Sequence, residues 1–513
     1  MKVHLMFRDK DFNIKTELCF GKETLENDLE LKEILKNMAG DDQTIYGSCE
    51  SALFSPLQSL EEIRYRQKNI EDALQNADAV RELYNITVDT EKERKKSWYW
   101  LSSAYLSSTF SSAVDLLKIY TNMLMKLRII ADNKGLHFHS DGFINLFTML
   151  QKELDDTYFD EIHVQLDSLK KEDGLLVSSN LGDYLQGVNY VLREKKHKRF
   201  VWHWLFSPSY TLASRDDAGA KDLSKRSDRA INEATNALAQ SAEHLNDFFT
   251  ILRNELAFYV GCLNLAEHLK NRNMKISIPI LYPLRSKSKK RVWKGLYDIS
   301  LSLMKNANVV GNELDTNDKS LFIITGANQG GKSTFLRSIG QVQLMAQSGL
   351  FVGAENFCAP ICNGIFSHFK KEEDSEMKSG KLDEELIRMS KIADNLESGS
   401  LMLFNESFAA TNEREGSEII RQITQALIEN EIEVFSVTHL YTYAVSFRDN
   451  KETQFLRAQR LDSGERTFKI VPGEPLQTAF GEDLYQKILL QKHKIENRNR
   501  KENWLVGKKC FHV

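Results

Sequence analysis

Proline is scarce in this chain: 7 of 513 residues, with Pro56 alone in the first 207 positions and none between Pro208 and Pro279. Proline breaks helix interiors, so its absence permits long helices through most of the N-terminal half. Cysteine is equally thin. The 6 cysteines, at 19, 49, 262, 358, 362 and 510, match neither zinc-ligand spacing nor a disulfide framework, so reduced thiols are expected. No apolar run approaches the length that spans a membrane, and the opening Met1-Lys2-Val3-His4-Leu5 has no apolar signal core, which predicts a cytoplasmic protein. Excess positive charge is missing too. With 27% charged residues and a net charge of −4, the whole molecule is no electrostatic magnet for nucleic acid, and any DNA contact must come from local patches. A chain of 513 residues exceeds one hydrophobic core, so more than one domain is expected.

What is present is sharper. The apolar run Leu321-Phe322-Ile323-Ile324 precedes Gly326-Ala327-Asn328-Gln329-Gly330-Gly331-Lys332-Ser333-Thr334, a G-x-x-x-x-G-K-S loop between a buried strand and a helix. Glycines at Gly326, Gly330 and Gly331 let backbone N–H groups curl around a phosphate, joined by Asn328 and Thr334 and by the positive end of the following helix. Lys332 would reach the outer phosphates, and Ser333 would offer its hydroxyl to Mg²⁺. A bound nucleotide follows.

Apolar positions from Asp217 to Asn271 recur in steps of three and four (Ile231, Ala234, Leu238, Ala242, Leu245, Phe249, Leu252, Leu256), predicting one helix. At 1.5 Å per residue it extends roughly 80 Å, the dimension of a lever. A second helical block is predicted from Ser97 to Asp132. Between them, Gly174–Ser178 and Gly187–Leu192 read as two short strands, followed by the basic run Arg193–Arg199, either a solvated tip or a contact to DNA phosphates. A second basic run, Arg285–Arg291, reads as a joint. From about 276 onward short apolar strands alternate with helices: Leu321–Thr325, Ile365–Phe369, Ser400–Phe404 and Glu433–Thr438 predict a mostly parallel sheet. Thr453–Leu461 and Arg466–Val471 around Asp462-Ser463-Gly464-Glu465 predict a hairpin. The fold class is thus an α-helical core or lever domain followed by an α/β P-loop domain. The divisions are an N-terminal segment 1–40, a helical domain 41–275 with a reduced hairpin near 174–193, an α/β domain 276–485 and a basic tail 486–513.

The strand Ser400-Leu401-Met402-Leu403-Phe404 ends in Asn405-Glu406. An acidic pair here normally supplies a Mg²⁺-orienting Asp and then a Glu that polarises the attacking water. Glu406 suits the second role. Asn405 lacks the charge of the first, a loss of about 1–3 kcal/mol, which predicts slow turnover.

These residues resemble the MutS family of DNA mismatch-repair ATPases. The loop is similar to that family's G-P-N-M-G-G-K-S-T, Thr411 and Gly416 fall in register with its I-G-R-G-T-S-T-x-D-G, and Val437-Thr438-His439 resembles its A-T-H, in which His439 would contact the γ-phosphate region. Ser55-Pro56-Leu57 with Ile63 and Arg66 resembles the start of its helical core, and Pro472-Gly473 with Gly481 also fits. The resemblance implies an ABC-type domain that closes two ATP molecules between two subunits, with Ser379 and Gly380 as the signature acting in trans. That signature is two residues shorter than the family's and lacks its Ser-Thr-Phe. Val309 stands where the family places an adenine-stacking aromatic. The core-like segment begins within about fifty residues of Met1, so direct mismatch reading is not expected.

The implied function is a Mg²⁺- and ATP-dependent homodimer acting on DNA structure. The alternative is a nucleotide-dependent switch that binds a protein and hydrolyses weakly or not at all. A P-loop metabolic kinase explains neither the long helix nor the register of Thr411, Gly416 and His439.

Overall fold

The computed structural model describes residues 1–16, 18–98, 106–169, 176–183, 186–193, 213, 215–284, 290–304, 309–371, 380–461 and 464–476. Ser379, Gly481, most of both basic runs and the tail from 486 lie outside the described residues.

In chain order, short helices α1 (Lys22–Asp28), α2 (Leu31–Ala39) and α3 (Gln43–Leu53) lead to α4 (Leu60–Gln75), α5 (Ala77–Trp98), α6 (Leu106–Lys134), α7 (Asp141–Glu153) and α8 (Asp156–Ser168). The antiparallel ribbon β1 (Leu176–Leu181) and β2 (Gly187–Arg193) follows, then α9 (Asp217–Asn271). The remainder alternates: β3 (Ile280–Tyr282), β4 (Arg291–Leu296), α10 (Ile299–Met304), β5 (Asn312–Thr316), β6 (Leu321–Gly326), α11 (Lys332–Gln347), β7 (Asn356–Pro360), β8 (Ile365–Phe369), α12 (Lys381–Ala393), β9 (Leu401–Asn405), α13 (Glu413–Glu429), β10 (Glu433–Val437), α14 (Tyr441–Ser446), β11 (Thr453–Arg460) and β12 (Arg466–Pro472). The expected helix at 217–271, the sheet strands and the C-terminal hairpin strands are among these elements; the block expected from Ser97 to Asp132 and the strand expected at Gly174–Ser178 lie in part outside the described residues.

The chain forms two compact units. The first, Met1–Asn13 with Lys68–Val260, is built mainly of helices and the ribbon among its described residues, with a non-helical N-terminal segment. Its interior is aromatic: Phe138 lies 4.7 Å from Phe143 and 5.0 Å from Phe147, and Tyr259 meets Phe143 edge-on at 5.7 Å. Buried Glu255 on α9 accepts the backbone N–H groups of Leu5, Met6 and Phe12, pinning the N-terminal segment. Burial pushes its carboxyl up to about 7.

The second unit, Ile14–Gln67 with Gly261–Val513, is built on a six-stranded sheet in the order β12-β11-β6-β10-β9-β8. Its strands are parallel except β12, which returns antiparallel to β11. Parallel strands are covered on both faces, which is why Leu321–Ile324 and Leu401–Phe404 are apolar throughout and buried. Phe322 and Phe435 stack at 4.1 Å between neighbouring strands. A four-stranded sheet, β3-β7-β4-β5, is the second layer. The early helices belong to this unit: Gln341 on α11 donates to Leu29 O at 2.9 Å, Ser300 to Glu30 O at 2.8 Å, and buried Arg66 to Ser348 O at 3.0 Å.

Candidate functional site

The carboxyl ends of β6, β9 and β10 carry the loops where open parallel sheets place ligands. After β6 the chain turns with φ +112° at Gly326, +59° at Gln329 and +93° at Gly331, the last being the residue before α11. Only glycine adopts the angles at Gly326 and Gly331 at little cost, and a Cβ on Gly330 would come within 2.8 Å of the Ala458 methyl. The amides at the start of the 16-residue α11 therefore face the loop, with the positive end of its dipole.

Lys332 is buried and its ammonium folds back, donating to Gly326 O at 3.0 Å and Ala327 O at 3.1 Å. Desolvation lowers its pKa, Glu406 opposes that shift, and Arg466 on β12 reinforces it. The Nε and Nη2 of Arg466 are buried without a hydrogen-bond partner. Two cations near one glycine loop, one with orphaned donors, make a place that favours an anion.

Ser333 Oγ donates to Asn405 Oδ1 at 2.9 Å, so the phosphate loop and the end of β9 touch directly. Glu406 follows with φ +53°, its N–H donating to Val437 O at 2.9 Å. Thr438 N–H donates to Ile324 O at 3.1 Å, and its Oγ1 accepts from Leu440 N–H at 3.0 Å, which sets the bend that carries exposed His439.

A cavity of about 720 Å³ joins these parts. Asn328, Gly330, Gly331, Lys332, Ser333, Thr334, Glu406, His439 and Val309 all line it; Gly326 and Asn405 sit just behind, through their contacts to Lys332 and Ser333. Gly380 caps the start of α12 and is not among the lining residues.

Among the lining residues that sequence reasoning did not name are Tyr297, Asp298, Asn312 and Phe468. Asp298, buried, is held by Arg337 and Gln341 of α11. Asn312 Oδ1 accepts Ile470 N–H at 2.7 Å and ties β5 to β12. Phe468 sits at φ +59°, is an exposed residue and lines the same cavity as Val309. The one available signal was its place in the predicted hairpin, which says nothing of what the ring would face.

Thr411 and Gly416 have structural places. Thr411 Oγ1 donates to Glu415 at 2.6 Å, Asn412 caps α13, and a Cβ on Gly416 would lie 2.3 Å from Phe408 O. No group of three or more His, Cys, Asp or Glu that could hold a metal exists among the described residues, and no described helix is long and apolar enough to cross a membrane.

Two family models match. Residues 58–272 match the MutS2 N-terminal domain and residues 322–480 match MutS domain V. Among curated relatives, the chain is similar to proteins named endonuclease MutS2. It is 26% identical over 275 residues to that of Streptococcus equi subsp. equi, covering 52% of this chain and 33% of the relative. For Lacticaseibacillus casei the values are 30% over 251 residues, 46% and 31%. For Ligilactobacillus salivarius they are 28% over 289 residues, 51% and 35%. The matches thus span about a third of the length of these relatives.

Proposed function

We propose that this chain, a MutS2-like protein, binds ATP with Mg²⁺ in the β6–β9–β10 cavity and hydrolyses it slowly as a homodimer acting on DNA structure. The observation that carries the reading is the meeting of phosphate loop and β9 end through the Ser333–Asn405 hydrogen bond, with Glu406 and His439 on the same cavity. The unpartnered Nε and Nη2 of Arg466 and the turned-back Lys332 fit a triphosphate, which would accept from the first and replace the loop carbonyls as acceptor for the second.

Mg²⁺, when bound, neutralises phosphate charge. It needs few protein ligands because it keeps waters and phosphate oxygens, which suits Ser333 Oγ and Asn405 Oδ1 as its anchors. Glu406 orients a water and accepts its proton; His439 stands toward the outer phosphate. Asn405 gives this site one carboxylate fewer than the usual acidic pair, so turnover is slow. Val309 and Phe468 receive the base. Ser379 and Gly380 act on the nucleotide of the second subunit, and the 55-residue α9 serves as the lever.

Lys332→Ala abolishes ATP binding in calorimetry. Glu406→Ala binds ATP normally and loses turnover, a fall of about 10²–10⁴-fold; retained turnover would refute the assignment. DNA engagement is tested by affinity for duplex, branched and mismatched DNA across salt concentrations, with and without ATP. Phosphate contacts give a steep negative salt slope, and a slope near zero rules them out. Asn405 favours a second reading, a nucleotide-dependent protein-binding switch; absence of any DNA-stimulated hydrolysis would select it.

A further inference from the structure

The turn that carries Glu406 is strained. Glu406 at φ +53° and Phe408 at φ +58° both occupy the left-handed region without being glycine. Such a residue is strained and persists only where its surroundings over-determine it. The holding groups come from two other elements. Phe408 N–H donates to Glu385 Oε2 at 2.7 Å, and its ring stacks on His368 at 5.1 Å and 12°. The main-chain oxygen of Glu385 accepts from His368 Nε2 at 3.1 Å, and His368 Nδ1 meets Ser407 Oγ at 2.8 Å.

Glu385 therefore grips this turn twice, through its carboxylate and, by way of His368, through its backbone. Glu385 is a buried residue in the second turn of α12. Burying a carboxylate is costly unless a charge-assisted hydrogen bond offsets it, and that bond goes to the amide of the strained Phe408. Neighbouring Arg388 and Lys370 attract the charge and burial opposes it. An apolar side chain would fill the same space without that cost, but would leave the Phe408 amide unpaired and the turn free to relax.

We propose that Glu385 is a positioning residue for hydrolysis: by holding Phe408 N–H it keeps Glu406 aimed at the phosphate loop. The proposal rests on the reading that Glu406 activates water. It also makes α12, which opens at Gly380, one mechanical piece with the Glu406 turn.

The test uses the full chain with Mg²⁺-ATP, measuring kcat, KM, ATP affinity and melting temperature in parallel. Glu385→Ala lowers kcat by about 10–100-fold while KM and ATP affinity stay near wild type, because a displacement of about 1 Å at the reacting group has that effect. Glu385→Gln restores turnover, since its amide oxygen accepts the same N–H. Glu385→Asp, one methylene shorter, keeps the charge and loses the rate; it serves where the alanine variant does not fold. Wild-type kcat in Glu385→Ala or Glu385→Asp, or no rescue by Glu385→Gln, overturns the proposal. Glu406→Gln separates the two readings. If it keeps turnover, the Glu406 assignment falls and this proposal with it; if it abolishes turnover while Glu385→Ala does not, the positioning role alone falls.

Discussion

Two turns leave neighbouring parts of one parallel sheet and meet at Ser333 and Asn405, yet they are built by opposite means. The turn after β6 reaches positive φ largely through Gly326 and Gly331. The turn after β9 places Glu406 and Phe408 in the same region and relies on partners far away in sequence, Glu385 and His368. A loop that only cradles an anion can use residues without side chains. A loop that must present a carboxylate cannot, so its strain has to be held from outside.

The largest way to break this comparison is at Gly416. A methyl there would collide with Phe408 O, a backbone atom that cannot swing aside. Gly416→Ala is expected to lose about 2–4 kcal/mol of stability in urea melts, and turnover with it. Gly331→Ala, strained at +93° but 3.5 Å from its nearest neighbour, should lose only about 1 kcal/mol. Equal losses would erase the distinction between the two turns.

Protonation gives the next effect. Burial, with help from Arg388, depresses His368 to about 4, well below the ordinary imidazole value. The folded state then binds fewer protons than the unfolded one between those values. Stability from the neutral ring is complete above about pH 6.5 and is lost as pH falls toward 4, by up to about 3 kcal/mol. Melting temperature should drop between pH 7.5 and 5, and His368→Asn should flatten that drop; an unchanged profile in the variant would assign it elsewhere.

The smallest effect is expected outside both turns. Phe468→Ala should weaken ATP binding by about 0.5–1.5 kcal/mol if the ring stacks on the base, and the loss should be similar for GTP because stacking is sequence-tolerant. An unchanged dissociation constant would remove Phe468 from the site.

The same contrast explains what could be read in advance. The β6 turn was legible because its chemistry is written in nine consecutive residues, Gly326–Thr334, after an apolar strand. Asn405-Glu406 was legible for a similar reason, as the polar end of Leu401–Phe404. Steps of three and four, with no proline between Pro208 and Pro279, made α9 legible, and it runs over Asp217–Asn271. Glu385, His368, Asp298 and Phe468 could not be read this way. Each acquires its role from contact with a residue that only the folded sheet brings near, and none differs locally from an ordinary surface or core residue. Gly416 was noticed through resemblance alone, and its physical reason, the approach of Phe408 O, needed coordinates.

The early helices carry a practical consequence for dissecting this molecule. Residues 14–67 pack with the sheet-bearing unit, although Lys68–Val260 of the helical unit separates them from the rest of it along the chain. Leu29 packs so closely on α11 that a Cβ on Gly340 would meet it at 2.6 Å, and Arg66 reaches the backbone at Ser348. A clone opening just before β3 would bare that apolar seam and remove Leu29 O from the acceptors of the Gln341 amide, leaving it Asp298 and Ser300. A soluble fragment should therefore carry residues 14–67 as a fused or co-expressed piece, or as the tail of a circular permutant, so that the severed seam is sealed by its own sequence.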